Sequence, residues 1–264
     1  MNAANVWTAV QDVRNRAPVV HSITNYVVMN TTANALLAIG ASPVMAHAEE
    51  EMADMVNIAS ALVINIGTLS KEWVKSMFKA AEQAAKRGIP IVLDPVGVGA
   101  TPYRTNTARE LAAAVAPTII RGNASEIRAL AGAQAKTRGV DATESSGHAV
   151  EAAQSLHKSF GSVVCISGET DYVVGAGETF RIRNGHPLMT RVTGLGCTAT
   201  ALCGAFAAVT TDAAQATAQA MVVMGIAGTM AAEKAQGPGT LQLHFLDALA
   251  GLTEDDITRR IRLE

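Results

Sequence analysis

The order of apolar and polar residues in this chain predicts an α/β fold, a central and mostly parallel sheet with helices on both faces. Three observations carry that prediction. Short apolar runs alternate regularly with helical stretches, several runs are apolar on both faces, and helical stretches stop repeatedly at a glycine. With 264 residues, 49% of them apolar and 17% charged, the chain can bury a sizeable core. No linker, repeat or low-complexity segment interrupts it, so residues 1–264 read as a single domain.

Val19–His21 is the first expected strand. The helical stretch Val27–Ile39 ends at Gly40, a residue free to take the left-handed turn that closes a helix. Pro43–Met45 is the second strand, and Glu49-Glu50-Glu51 sets negative charge where a helix begins. Ala61–Ile66 carries Leu62-Val63-Ile64 without polar alternation, the mark of a central strand covered on both sides. Lys71–Arg87 is a helix stopped by Gly88. Ile89–Asp94 is the most apolar strand, Thr118–Arg121 the next, and Ser125–Ala131 a helix ending before Gly132. Val163–Ser167 closes the parallel series. Asp171–Val174 and Thr179–Arg183, split by Gly175-Ala176-Gly177, read as an appended hairpin. From Cys197 onward the pattern is helical, beginning with the small residues Ala199 to Ala208.

Composition removes several function classes. A formal charge of -2 with no basic cluster argues against a nucleic-acid partner, and no 18-residue apolar run exists to span a bilayer. Met1 to Arg16 carries polar residues throughout and lacks a signal peptide's apolar core, so a cytoplasmic location is expected. The three cysteines, Cys165, Cys197 and Cys203, have no CxxC spacing, which disfavours a disulfide framework and a zinc site. Abundant Ala, Gly and Met point to closely packed helices that also meet other subunits.

In open parallel sheets, ligands gather at the carboxyl ends of the strands. His21-Ser22-Ile23-Thr24-Asn25, Met45, Asn65-Ile66-Gly67, Asp94-Pro95-Val96-Gly97, Arg121-Gly122-Asn123 and Ser167-Gly168-Glu169 all fall where expected strands end. Further on, Val192-Thr193-Gly194-Leu195-Gly196-Cys197-Thr198 places two glycines and a thiol at the mouth of a helix. Gly194 and Gly196 allow several N–H groups to turn toward one point, and the helix dipole adds positive potential there, which suits a phosphate. The segment lacks the Lys-Ser/Thr ending of a P-loop, and it lies too late in the chain for a dinucleotide fingerprint.

Each candidate residue has a plain reading beside a functional one. Asp94, ending the most apolar strand, either caps the following turn or projects from the rim into the cleft as a Mg²⁺ contact. Asn123-x-x-Glu126 is either a capping box or a means of presenting Glu126 near nucleotide phosphates, and the two roles are compatible. Arg121 is a phosphate donor or a surface ion pair. Ser167 offers a rim hydroxyl or a cap. Cys197 is a buried structural thiol, or one whose pKa the helix N-terminus lowers so that it lines or deprotonates an attacking hydroxyl. Cys203 and Cys165 are expected to pack inertly. His21 and His186 are possible cleft residues or satisfied hydrogen-bonding groups.

Over nearly its whole length the chain resembles the hydroxyethylthiazole kinases of the ribokinase-like superfamily. The resemblance rests on His21-Ser22-Ile23-Thr24-Asn25, the run Thr32 to Met45, Asn65-Ile66-Gly67-Thr68-Leu69, Leu93-Asp94-Pro95-Val96-Gly97, Ile120-Arg121-Gly122-Asn123-Ala124-Ser125-Glu126-Ile127, Gly168-Glu169 and Val192-Thr193-Gly194-x-Gly196-Cys197. It implies a ribokinase-like sheet and transfer of the ATP γ-phosphoryl group to the primary alcohol of 4-methyl-5-(2-hydroxyethyl)thiazole, a step of thiamin salvage. By the same likeness Met45 and Gly194 contact the thiazole alcohol, Arg121 and Ser167 contact ATP, and Asp94 with Glu126 organises Mg²⁺. Cys197 stands where most ribokinase-like enzymes carry an aspartate base. The resemblance also implies a homotrimer with active sites at subunit interfaces. Two rivals compete with this reading: a kinase for another small alcohol, such as a hydroxymethylpyrimidine or pyridoxal, and a non-catalytic nucleotide- or thiazole-binding regulator.

Overall fold

The computed structural model describes residues 1–132, 142–177 and 179–264. Eight strands form one sheet: β1 (Val19–Ile23), β2 (Ser42–Val44), β3 (Ala61–Asn65), β4 (Ile91–Asp94), β5 (Ile119–Asn123), β6 (Val163–Ser167), β7 (Asp171–Val174) and β8 (Phe180–Ile182). Their spatial order is β2-β1-β3-β4-β5-β6-β7-β8, parallel from β2 to β6 and antiparallel across β7 and β8. This is the expected mostly parallel sheet with its appended hairpin.

Several strands differ from expectation at their ends, β2 lying one residue early at Ser42–Val44, and the ladder explains the differences at β1, β5 and β4. β1 runs on to Ile23 because Ser22 and Ile23 pair with Val63 and Ile64. β5 extends to Asn123 because Gly122 and Asn123 pair with Ile166 and Ser167. β4 starts at Ile91, two residues late, since Pro90 has no N–H to offer a ladder, although its carbonyl accepts from Leu62 N.

Helices cover both faces. Before β6 lie α1 (Ala3–Arg16), α2 (Met29–Ile39), α3 (Met52–Ile58), α4 (Lys71–Arg87), α5 (Pro102–Val115), α6 (Ala124–Leu130) and α7 (Ala142–Phe160). After β8 come α8 (Leu195–Ala207), α9 (Ala213–Lys234), α10 (Pro238–Gly251) and α11 (Glu254–Arg260). Strand alternation sorts them into two cores. Val63, Val92, Ile119, Cys165 and Val173 point to the face of α1, α2 and α8–α11, while their neighbours Leu62, Ile64, Ile91, Leu93, Ile120, Val164, Ile166 and Val174 point to the face of α3–α7. Because both sides of these strands are dry, the apolar runs show no alternation in sequence. Among the described residues no helix is long and apolar enough to cross a membrane.

α1 occupies a stretch whose polar character hides a stripe. Val6, Ala9, Val10 and Val13 are buried, the spacing of one helical face. α8 packs tightly onto the central strands. A side-chain carbon at Gly204 would lie 2.7 Å from Val63 Cγ2, so only glycine lets this helix approach the central strand. That approach brings the N-terminus of α8 to the carboxyl ends of the strands.

The strand order creates a crevice. From β1 the chain moves to β2 on one side and then crosses to β3 on the other, so the carboxyl ends of β1 and β3 flank a topological switch point, where ligands of open α/β sheets bind.

Candidate active site

Gly194 caps α8 with φ +85° and ψ -7°, a left-handed conformation that favours glycine. Its Cα faces Val28: an added carbon would sit 2.5 Å from Val28 Cγ1. The helix begins at Leu195, two residues earlier than expected, which puts the N–H groups of residues 195–197 in its first turn, where they have no intrahelical acceptor. These are the donors a bound anion would meet.

Beside them lies Arg121, on β5. Its guanidinium packs against Gly196, where a side-chain carbon would approach Nη1 to 3.0 Å. Arg121 is buried, and its Nε has no hydrogen-bond partner among the described residues. Burial alone would weaken the charge, but the Asp94 and Asp171 carboxylates close by hold the guanidinium above its ordinary pKa. A permanently charged, incompletely satisfied arginine is costly to bury and is suited to an anionic ligand.

Arg121 opens onto a cavity of about 1000 Å³, walled also by Ser167, Gly168, Asp171, Leu195 and Gly196, with Met221 and Met224 supplying apolar surface. Ser167 ends β6, its hydroxyl 3.4 Å from the Gly122 carbonyl. Asp171 accepts from Gly168 N at 3.0 Å and so fixes the turn after Ser167. Burial raises the Asp171 pKa to about 6, against the Gly168 hydrogen bond and the Arg121 charge.

Asp94 lies deeper than expected. It is 1% exposed, and instead of projecting into open cleft its Oδ2 accepts from Asn65 Nδ2 at 2.8 Å and from Thr200 Oγ1 at 2.7 Å. The cause is α8, whose close approach lays Thr200 over the end of β4. Burial raises the Asp94 pKa to about 6; Arg121, Thr200 and Asn65 oppose the shift and Glu126 adds to it.

Glu126 closes the capping box of α6. Its Oε2 accepts from Asn123 N and its Oε1 from Gly97 N, each at 2.9 Å, while Asn123 Oδ1 accepts from Glu126 N at 3.0 Å. The Gly97 bond goes beyond capping, because it ties the loop after β4 to the start of α6. Arg104 holds that loop from the other side, donating to the carbonyls of Ile66 (2.6 Å), Gly67 (2.9 Å) and Val96 (3.0 Å). The loops after β3 and β4 are therefore pinned together.

The Cys197 thiol contradicts its expected activation. Its pKa is raised to about 11, first by burial and then by the charge of Asp94, with hydrogen bonds from Asn65 and Asn25 and the Arg121 charge opposing. The helix N-terminus lies beside an acidic group in a dry setting, so the thiol stays protonated. Asn25 Nδ2 reaches Sγ at 3.5 Å and Asn65 Oδ1 at 3.0 Å. Cys203 and Cys165 are fully buried, and burial pushes Cys203 to about 12 and Cys165 well up, in line with their inert reading.

Met45 follows β2 at the sheet edge and is not among the residues that wall the cavity. His21 is buried at the same end, its Nε2 donating to the Ala46 carbonyl at 2.9 Å and its pKa lowered by burial. His186 lines the cavity and caps the short turn Pro187–Arg191. The structure thus brings Arg121, Ser167 and Gly196 to one cavity. Asp94, Cys197 and Glu126 do not wall it; Asp94 and Cys197 are tied to it through the Arg121 charge felt at both, and Glu126 through its own charge felt at Asp94. Asn65, Thr200, Asp171 and Arg104 join them unforeseen as chemical participants, and Asn25, expected on the rim, joins through Asn65 and Cys197. Thr200 was findable, lying three residues after Cys197 on one helix face. Arg104 had no signal, since its partners are carbonyls that any sequence supplies.

Residues 10–255 match the hydroxyethylthiazole kinase family. The hydroxyethylthiazole kinase of Syntrophus aciditrophicus is 66% identical over 260 residues, covering 98% of this chain and 96% of that one. The solved hydroxyethylthiazole kinase of Pyrococcus horikoshii superposes with a TM-score of 0.91 at 45% identity, covering 98% of each chain. A ribokinase-like superfamily protein of Enterococcus faecalis, 15% identical, superposes with a TM-score of 0.62 over 94% of this chain and 88% of that one, a likeness of fold alone.

Proposed function

The chain belongs to the hydroxyethylthiazole kinase family, and from that premise we propose how its rim moves the γ-phosphoryl group of ATP to the primary alcohol of 4-methyl-5-(2-hydroxyethyl)thiazole, a step of thiamin salvage. The observation that carries this reading is Arg121: a buried, charged and incompletely satisfied guanidinium set against the glycine bend of α8. An anion arriving at that bend would meet this charge directly, since the guanidinium packs against Gly196.

Phosphoryl transfer passes through a loose transition state, so aligned positive charge and donors contribute more than proton abstraction. The amides of residues 195–197 hold the migrating phosphoryl group, and Arg121 with the Ser167 turn holds the nucleotide phosphates in the cavity. Asp94 and Glu126 are the acidic groups for Mg²⁺. The donor set fits: the Glu126 charge reaches Asp94, and both hydrogen bonds to Asp94 fall on Oδ2, leaving Oδ1 outside them. Two carboxylates beside phosphate oxygens suffice for an ion that keeps much of its water, and among the described residues no group of three acidic, His or Cys ligands exists to hold a metal alone. When bound, Mg²⁺ supplies charge neutralisation on the phosphates.

Burial and the Asp94 charge push the Cys197 thiol up to about 11, so it stays protonated at neutral pH, orients the alcohol and accepts little of its proton. Gly194 and Met45 complete the alcohol side. Met45 stands at the sheet edge, and Tyr26, Val27 and Leu37 are large apolar side chains left exposed on this chain, which supports a homotrimer whose sites close across subunit boundaries. The reading also places the enzyme in the cytoplasm. Sedimentation of the purified protein tests the trimer.

A coupled ADP-release assay with a panel of heteroaromatic alcohols tests the activity. Turnover with the hydroxyethylthiazole alone is expected. Turnover with pyridoxal or a hydroxymethylpyrimidine instead, or with no alcohol, would overturn the assignment.

A further inference from the structure

We propose that Asn65 is a positioning residue that locks the acceptor side of the site and its acidic side into one unit. Asn65 is the last residue of β3, paired in register with Asp94 at the end of β4 and 1% exposed. Its amide can face only one way. Gly67 N, which can only donate, lies 2.9 Å from the atom assigned as Oδ1, so that atom is the oxygen and Nδ2 is the group that meets Asp94 Oδ2 at 2.8 Å. Oδ1 takes a second donor, Asn25 Nδ2, at 3.0 Å, and that same nitrogen reaches Cys197 Sγ at 3.5 Å.

One side chain thereby sets three groups. It aims Asp94, it turns the Asn25 amide nitrogen toward Cys197, and it holds the Gly67 loop against Asn25, where an added carbon on Gly67 would come within 2.6 Å of Asn25 Nδ2. The bonds straddle the switch point between β1 and β3, so a shift on the alcohol side is felt at Asp94. Thr200 Oγ1 donates to the same Oδ2 and supports the aim from α8. A charge-assisted hydrogen bond to a buried carboxylate is among the stronger polar contacts, and this carboxylate has two on one oxygen.

The inference rests on the role given to Asp94 above. The test measures kcat and both KM values for Asn65→Leu, Asn65→Asp, Thr200→Val, the Asn65→Leu/Thr200→Val pair and Asp94→Asn, each checked for folding by circular dichroism. Asn65→Leu is expected to lower kcat on the order of 10- to 100-fold with KM values within about threefold, as loss of alignment without loss of binding requires. Asn65→Asp keeps the oxygen for Gly67 and Asn25 but sets a carboxylate against Asp94, so it should lose at least as much. The double variant should lose less than the product of the single losses, because both donors act on one oxygen.

Asn65→Asp within about threefold of the parent kcat, a loss confined to KM, or strictly multiplicative losses would each overturn the proposal. If Asn65→Leu fails to fold, the isosteric Asn65→Asp decides. An active Asp94→Asn would bring down the reading of Asp94 and this inference with it. An inactive Asp94→Asn beside a normal Asn65→Asp would bring down this inference alone.

Discussion

Replacing Gly194 by alanine perturbs the glycine bend with a single carbon, and the structure separates its two costs. The backbone at Gly194 has φ +85°, where an L side chain costs about 1–2 kcal/mol. The new carbon would also lie 2.5 Å from Val28 Cγ1 and 3.3 Å from Val28 Cβ, too close for either to stay. Relief comes by moving Val28 or by rotating the peptide units that follow, and rotation re-aims the amides of residues 195–197. If one oxyanion-type donor is lost, at about 3 kcal/mol, kcat falls on the order of 10²-fold. The assay is coupled ADP release at saturating ATP and thiazole alcohol, with a thermal melt to exclude unfolding. Adding Val28→Ala removes the 2.5 Å collision with Cγ1 and leaves the tighter-than-usual Cβ contact and the backbone strain, so the double variant should regain only part of the lost rate. A Gly194→Ala enzyme turning over within about threefold of the parent would refute the reasoning, since both costs act on the same bend.

Three further outcomes follow from the site. Cys197→Ala should retain measurable turnover, because a thiol with a pKa of about 11 contributes little base action, whereas Cys197→Asp should equal or exceed the parent; a folded but dead Asp variant in a steady-state assay would count against an alcohol-facing role. Asp94 in the metal-free chain has a pKa raised from 3.8 to about 6, so the rate should climb with pH as the carboxylate ionises, and raising the Mg²⁺ concentration should move the midpoint of that climb below 6; a midpoint indifferent to Mg²⁺ would count against Asp94 as a metal contact. In metal-free buffer its contribution to stability has the opposite slope: the unfolded chain gives up the proton first, so stability present below about pH 4 is lost as pH rises through about 6, readable from urea midpoints. Arg104→Met removes three donors to rim carbonyls, at roughly 2–3 kcal/mol together, and should lower Tm by about 5–10 °C and kcat several-fold; an unchanged melt would show that the two loops hold without it.

The parallel sheet was readable because its strands are apolar on both faces and its helices stop at glycine, and β6 and β7 match their expected bounds at both ends. Strand ends elsewhere were set by neighbours: nothing local to Gly122 and Asn123 reveals that β6 waits to pair with them. α1 escaped notice because its four buried residues are small and set in polar sequence, and α5 because its start at Thr101-Pro102 is a cap without an apolar run behind it. Within the site, the positions of Arg121, Ser167 and the glycine bend followed from strand ends and helix mouths. The environment of Cys197 did not. Proximity to a helix N-terminus is local and visible in sequence, but the burial and the Asp94 charge that outweigh it arise when α8 packs onto strands a hundred residues away. Asn65 was placed on the rim, and its orientation needed Gly67, Asn25 and Asp94 in three dimensions.

The most direct measurement is a crystal structure of the chain with a non-hydrolysable ATP analogue, Mg²⁺ and the thiazole alcohol. The terminal phosphate should accept hydrogen bonds from the amides of residues 195–197 with Arg121 on the adjoining phosphates, and the alcohol should lie next to Cys197. Phosphates seated away from that bend, with Arg121 still facing Gly196 and unbound, would contradict it.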